Sequence, residues 1–196
     1  MTRHGGTVLV DTNVIIESHR VRAWRALAGG YRVETVEDCV AETQPGFQLR
    51  RPEQRIDEGQ LRESLAIVHH VGDKERAALT LRLDDISLDL GEAALWAHAS
   101  NRTDAWVLCG PDKASLRFGI RAGFRERLVS LERLLDHVGY RPRIPLREAY
   151  TKRWLRRTLG SMILDEHRVS DRPALLTQPA PEREGTEPIR PRTRGG

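Results

Sequence analysis

The feature that most constrains this chain is an alternation of short apolar segments with amphipathic ones. Segments 7–10 and 105–109 are apolar or β-branched almost throughout, as strands buried on both faces of a parallel sheet are. Segments 31–36, 65–71 and 127–129 have the same character and are predicted as further strands. Strands that alternate with helices pair in parallel through right-handed crossovers. The sequence therefore predicts an α/β fold with a parallel sheet.

The segments between the predicted strands have the spacing and end signals of helices. Segment 44–59 holds two prolines and two glycines among polar residues, which is typical of a loop or an insertion. After two further prolines, 146–169 has an apolar stripe with basic residues on its other faces and predicts an amphipathic helix. The remaining predicted helices are 14–27, a helical turn from 37 that contains Glu42, 73–83, 92–100, 116–122 and 131–138.

Composition divides the chain into three parts. Residues 171–196 are rich in Pro, Arg, Glu and Gly and hold few large apolar side chains. Such a segment buries too little apolar surface to offset the entropy of ordering, so we predict a disordered tail there. The rest has ordinary globular composition, and we expect a domain at 1–140 followed by a helical extension at 141–170.

Charge and cysteine usage bear on partners and compartment. The formal net charge is +4 with a pI near 9.5, which favours polyanionic partners, although Arg-rich usage can also reflect genome composition. Cys39 and Cys109 lie far apart in apolar segments and are expected to be buried free thiols in a reducing compartment. The sequence shows no leader and no apolar run of about 18 residues, so we expect a soluble cytoplasmic protein that does not enter a membrane.

Four acidic residues occupy positions that a parallel sheet would bring together. Asp11 and Asp112 each follow an apolar strand, Glu42 comes one helical turn after the second strand, and Glu92 opens a helix. In open parallel sheets, binding sites form beyond the carboxyl ends of the strands. Each acid also has an ordinary structural explanation: an Asp after a strand can cap a helix, and a Glu can compensate the helix dipole or face solvent.

Converging carboxylates repel one another and rarely persist without a cation. A donor set of oxygens without thiols suits Mg²⁺ or Mn²⁺, and hydrolysis of phosphodiesters is the natural chemistry of such a centre. The sequence offers no Ser/His/Asp arrangement, Cys–His pair, glycine-rich phosphate loop or CxxC spacing as a competing site.

Three segments resemble the PIN-domain ribonuclease family, which includes VapC-like toxins. They are 8–16 (VLVDTNVII), 88–97 (LDLGEAALWA) and 106–114 (WVLCGPDKA), and 40–43 (VAET) fits the family's second acid more loosely. The resemblance covers about residues 7–138 and implies a three-layer fold with about five parallel strands. It also implies Mg²⁺- or Mn²⁺-dependent cleavage of RNA by Asp11, Glu42, Glu92 and Asp112. Gly110 and Pro111 depart from the family, which usually has a Thr or Ser here.

Several neighbours of the acids are supporting candidates. Thr12 and Asn13 complete the motif after Asp11, and Asn13 either orients that carboxylate, contacts phosphate or caps the following helix. Asp89 is either a further acid of the site or a helix N-cap. Lys113 and Arg117 either contact RNA phosphates or are solvated surface cations. His69 and His70 are not expected to chelate one ion, because adjacent residues of a strand point to opposite faces.

Two functional hypotheses remain open from the sequence. The first is an endoribonuclease, either a toxin with a cognate antitoxin or an RNA-processing enzyme. The second is a non-catalytic PIN-like module that binds RNA or protein. The helix at 146–169 is expected to pack on the domain, dimerise or bind another protein such as the antitoxin, and we expect a homodimer.

Overall fold

The computed structural model describes residues 5–46, 50–51 and 55–170, without the side chains of 167–170. Within this part of the chain four strands form one sheet, and every strand pair is parallel. The spatial order is β3-β2-β1-β4, so the predicted α/β class is confirmed. The strands are β1 (Thr7–Val10), β2 (Arg32–Val36), β3 (Ile67–His69) and β4 (Trp106–Cys109).

Helices connect the strands, and further helices come after the last strand. The helices of the described residues are α1 (Thr12–Arg20), α2 (Trp24–Gly30), α3 (Glu37–Glu42), α4 (Glu58–Ser64), α5 (Asp73–Leu83), α6 (Leu90–Ser100), α7 (Lys113–Arg121), α8 (Leu131–His137) and α9 (Lys152–Ser170). Two 3-10 turns, Arg125–Arg127 and Glu148–Tyr150, lie before α8 and α9 respectively.

The alternation of side chains along β1 divides the interior into two layers. Val8 and Val10 belong to an apolar cluster with side chains of α1, α2 and α8. Leu9, which points the other way, belongs to a second cluster with side chains of α5, α6 and α7. Helices therefore cover both faces of the sheet, which is why β1 is apolar at every position except its first.

Three differences from the predicted elements concern one strand and two helical segments. The strand expected at 127–129 is reduced to a single bridge between Leu108 and Leu128, because a 3-10 turn occupies Arg125–Arg127. The helix expected at 14–27 is two helices, since Arg22 adopts a left-handed conformation with φ 59° between them. Helix α4 was not predicted. The predicted tail, 171–196, and parts of the predicted loop lie outside the described residues.

The C-terminal extension is fastened to α1. Glu17 is fully buried and accepts hydrogen bonds from Arg20 at 2.7 and 2.6 Å and from the backbone N–H of Arg147 at 2.8 Å. The Tyr150 hydroxyl donates to the carbonyl of Asn13 at 3.2 Å. Helix α9 then packs on α7 and α8, so the packing predicted as one option for this helix is present.

Two further findings concern the cysteines and the apolar character of the helices. Cys39 and Cys109 are buried free thiols, as predicted. Among the helices that the structure describes, none combines the length and apolar character needed to cross a membrane.

Candidate metal centre

The candidate site lies where the order of the strands reverses. From β1 the chain adds β2 and β3 on one side of the sheet and then returns to place β4 on the other side. Ligand sites of open parallel sheets form at the carboxyl ends of the strands that flank such a reversal. Asp11 follows β1 and Asp112 follows β4, and the Asp11 N–H donates to the Cys109 carbonyl at 3.3 Å.

The two carboxylate oxygens of Asp11 differ in their hydrogen bonding. Its Oδ1 caps α1 by accepting from the Val14 N–H at 2.7 Å, which explains why an Asp ends this strand. Its Oδ2 is buried and has no hydrogen-bond partner within the described part of the chain. Gly110 lies against this oxygen, since a Cβ there would stand 3.0 Å from it. A buried acceptor without a donor is costly unless a cation or a proton satisfies it.

Asp112 also caps a helix. Its Oδ1 accepts from the backbone N–H groups of Ala114 at 2.6 Å and Ser115 at 3.2 Å, at the start of α7. Both Asp residues that end strands therefore have the capping role that the sequence left open. The cap fixes each carboxylate at the carboxyl edge of the sheet, so capping and ligand binding do not exclude each other here.

Glu92 and Asp89 form a reciprocal cap at the start of α6. Asp89 Oδ1 accepts from the Glu92 N–H at 2.8 Å, and Glu92 Oε2 accepts from the Asp89 N–H at 3.4 Å. The N-cap role predicted as one option for Asp89 is therefore correct, and Asp89 also lies near the other acids. Burial raises the pKa of Glu92 to about 8, and the charges of Asp112, Asp89 and Asp11 add to the increase.

Glu42, the least specific of the predicted acids, is held by two donors. It ends α3, and it accepts from the Thr12 hydroxyl at 2.6 Å and from the Gly91 N–H at 3.0 Å. A Cβ at position 91 would lie 2.5 Å from Glu42 Oε2, so Glu42 would have to move away if any other residue stood there. Thr12 and Gly91, both in the motif segments, thus tie Glu42 to α1 and α6.

We call Asp11, Glu42, Asp89, Glu92 and Asp112 the carboxylate cluster. Burial raises the pKa of Asp11 from 3.8 to about 7, and the hydrogen bond from Val14 opposes the increase. The charges of Asp89, Asp112 and Glu42 raise it further. The charges of the four predicted acids and Asp89 therefore act on one another at one edge of the sheet, and they raise the pKa values of Asp11 and Glu92.

The carboxylate cluster is open rather than closed around one point. Within the described residues, the group of three whose ligand atoms all lie within 4.8 Å of one another is Glu34, His69 and His98. The acids of the carboxylate cluster do not form such a group.

The Glu34 group is a different arrangement, in the middle of the sheet. Glu34 is almost fully buried and accepts from His69 at 2.8 Å, Arg32 at 2.6 Å and Arg102 at 2.7 Å. Burial alone would raise its pKa, but these three hydrogen bonds lower it to about 2. Arg102 also lies 3.0 Å from His98 Nε2.

The Arg102 guanidinium therefore lies between Glu34 and His98, within hydrogen-bond distance of both. The His69 and His98 rings are stacked at 3.8 Å with an interplanar angle of 24°, so an ion could not lie in both ring planes. We interpret this group as a buried ion-pair network, although its atoms are close enough for a metal. In the sequence, this network is indicated only by one acid, Glu34, within the strand β2. The predictions from sequence did not include the network.

The remaining candidates lie around the cluster. Asn13 is exposed and does not cap α1, because Asp11 does. Lys113 and Arg117 are exposed on α7, and the Arg117 Nε lies 3.9 Å from a carboxylate oxygen of Glu166. Both point away from the core and are available to a bound polyanion.

A divalent cation fits the donors of the carboxylate cluster. They are carboxylate oxygens alone, which Mg²⁺ and Mn²⁺ prefer, and one of them, Asp11 Oδ2, is buried without a donor. Held ions of this kind activate water and stabilise charge on phosphate oxygens. In comparisons with known proteins, no family model, curated protein or solved structure matches this chain.

Proposed function

We propose that this chain is a Mg²⁺- or Mn²⁺-dependent endoribonuclease of the PIN type that hydrolyses RNA phosphodiesters. The observation that carries the proposal is the unsatisfied Oδ2 of Asp11, buried at the strand reversal and surrounded by other acids. A buried carboxylate that faces other acids needs a positive charge beside it to remain ionised. A divalent cation supplies it, and phosphate oxygens are the ligands that complete such a coordination shell.

The residues of the chain have separate roles in this proposal. Asp11, Glu92 and Asp112 would hold the ion, which when bound supplies an activated water and a Lewis acid. Glu42 would be the fourth acid, kept in place by the Thr12 hydroxyl and the Gly91 N–H. The helix caps of Asp11 and Asp112 fix their carboxylates before substrate arrives, and such preorganisation reduces the cost of reaching the transition state.

The PIN-type assignment is supported by where the resembling segments meet. Segments 8–16, 88–97 and 106–114 are distant in sequence, yet each contributes an acid to one edge of the sheet. In this proposal the Thr12 hydroxyl, which donates to Glu42, supplies the supporting hydroxyl that Gly110 and Pro111 lack. In this proposal the protein acts in the cytoplasm on RNA, as a homodimer, either as a toxin with an antitoxin or in RNA processing.

A non-catalytic PIN-like module that binds RNA or protein is the second candidate. The open spacing of the carboxylate cluster favours it, since no three of its acids approach within 4.8 Å. The two candidates differ in what they require of divalent metal: cleavage requires it, whereas binding by surface cations does not.

The test is cleavage of structured and single-stranded RNA by the full chain with Mg²⁺, Mn²⁺ or EDTA. We expect cleavage with Mn²⁺ or Mg²⁺ and none with EDTA. Glu92→Gln should remove it, whereas Glu63→Gln, the same change at an exposed position of α4, should not. Absence of cleavage with every divalent metal would overturn the nuclease in favour of the binding module.

A further inference from the structure

A groove of about 350 Å³ runs between α7 and α9, and we call it the α7–α9 groove. Lys113 and Arg117 line it from α7, Trp154 and Arg157 from α9, and Asp165 is its acidic member. Lys113 directly follows Asp112 at the start of α7, so one lining residue of the groove is the sequence neighbour of an acid of the carboxylate cluster. Its lining carries three cations and one acid, and two of the cations have ion-pair partners, Arg117 with Glu166 and Arg157 with Glu148.

The charges at the start of α9 oppose its helix dipole. Lys152, Arg153, Arg156 and Arg157 occupy its first two turns, and its first turn contains no acid. Cations are unfavourable at the positive end of a helix, so these residues reduce helix stability unless anions accompany them. Within the described residues, Lys152 pairs with Asp136 and Arg157 with Glu148. Of these four residues Arg157 lines the α7–α9 groove, whereas Lys152 and Arg156 line a separate cavity, so α9 contributes Arg157 to the cations of the groove.

The ion pair of Arg157 can be exchanged for one with phosphate. Arg157 and Glu148 are 2.7 Å apart, with side chains 63% and 70% exposed, and pairs exposed to this extent contribute little stability. A phosphate is a stronger acceptor for a guanidinium than a solvated carboxylate is, because it offers several charged oxygens in a geometry that matches the guanidinium.

The apolar side of α9 packs against α7 and keeps Arg157 beside the groove. Leu155 and Met162 are buried in the cluster that also contains Leu116 and Phe118 of α7. Trp154 is half-buried between the two helices, so part of its ring is available to a base. An aromatic ring beside a row of cations is the arrangement by which proteins bind single-stranded nucleic acid.

We propose that the α7–α9 groove binds the phosphate backbone of single-stranded RNA and leads it to the carboxylate cluster. This inference rests on the proposed function, because the groove matters as a substrate path only if the cluster acts on phosphodiesters. It also accounts for the C-terminal extension, since α9 completes the substrate surface. The hydrogen bonds of Arg147 to Glu17 and of Tyr150 to Asn13 hold the segment that leads into α9 against α1.

The test measures binding separately from cleavage. The full chain is titrated against fluorescent oligouridine in EDTA at several salt concentrations, for wild type and for Lys113→Gln combined with Arg157→Gln. The double variant should bind more weakly, and the slope of log affinity against log salt should fall by roughly 1.4, because each lost phosphate contact on a single strand removes about 0.7. The matched control, Arg25→Gln with Arg143→Gln, removes two exposed charges elsewhere and should leave the slope unchanged.

The outcomes separate this inference from the nuclease. A double variant that binds like wild type with the same slope, or a control that weakens binding equally, would overturn the groove, even if the protein cleaves RNA. Weaker binding by the double variant in a protein that cleaves no RNA would support the groove and overturn the nuclease. Melting temperatures near that of wild type verify that the variants fold, as exposed substitutions usually do.

Discussion

Replacing Asp11 by Asn separates the catalytic role of this carboxylate from its structural one. Asn is as good an N-cap as Asp, so the hydrogen bond from Val14 to the side-chain oxygen at position 11 should remain. What is lost is the negative charge on the unsatisfied Oδ2. Mn²⁺-dependent cleavage should fall about a thousandfold or more, because losing a direct ligand removes several kcal/mol of transition-state stabilisation.

The same substitution should stabilise the metal-free protein at alkaline pH. The pKa of Asp11 rises from 3.8 to about 7 on folding, and each pH unit corresponds to ~1.4 kcal/mol, so ionised Asp11 costs the fold on the order of 4 kcal/mol. Burying the unpaired Asn amide returns roughly 1–3 kcal/mol of that. The variant should therefore gain roughly 1–3 kcal/mol of unfolding free energy above pH 7.

The gain should depend on pH in a defined direction. Well below pH 3.8 the carboxyl is protonated in both the folded and the unfolded chain, so it imposes no cost. Between pH 4 and pH 7 the unfolded chain loses the proton while the folded chain keeps it, and the wild type loses stability as pH rises. Asn does not titrate, so the advantage of the variant should grow from pH 4 to pH 7 and then level off.

Urea unfolding in EDTA across this pH range measures the stability, and melting with saturating Mn²⁺ measures ligand linkage. Wild type should gain about 2.7 kcal/mol at a metal concentration a hundred times its dissociation constant, and the variant much less. The exposed Asp73→Asn change is the control for both assays. A variant that cleaves at the wild-type rate, or that is less stable than wild type in EDTA at high pH, would refute this account of Asp11.

Three further predictions follow from other contacts. Gly91→Ala should displace Glu42, because Glu42 Oε2 would lie 2.5 Å from the new Cβ. We expect the rate of RNA cleavage to fall while the stability of the fold holds. Cleavage at the wild-type rate would show that the position of Glu42 is immaterial. Arg102→Met should cost about 2–4 kcal/mol in urea unfolding, because it leaves Glu34 buried with fewer partners, and a neutral effect would contradict the network. Because burial raises the pKa of Glu92 to about 8, Mn²⁺ binding at pH 7 should release protons and should tighten as pH rises. Calorimetry in buffers of different ionisation enthalpy measures the protons released. Binding without proton release would disprove the prediction.

Much of the fold was accessible from the sequence because it is encoded locally. The strands β1 and β4 are short apolar runs bounded by polar residues, and the α/β alternation follows from periodicity along the chain. Asp11, Asp89 and Asp112 each precede a helix whose first N–H groups need an acceptor. Their positions follow from the same local rule, whichever further role they have.

Other features depend on packing between distant segments. The sequence does not show that β4 lies beside β1 rather than at the far edge, although this pairing brings Asp112 to Asp11. The fifth strand was overpredicted because a 3-10 turn before Leu128 leaves room for one bridge. The break at Arg22 likewise interrupts a pattern that looks continuous in sequence.

The tertiary structure alone decided the environment of each acid. Two buried acids of similar local sequence have opposite fates: Asp11 faces other carboxylates and its pKa rises, whereas Glu34 faces Arg32, Arg102 and His69 and its pKa falls. Local pattern shows that Glu34 lies in a buried strand and that Asp11 directly follows one. The sign of each shift depends on the charges that distant segments bring within a few ångströms, because electrostatic energy depends on spatial distance and on the exclusion of water, and not on separation along the chain.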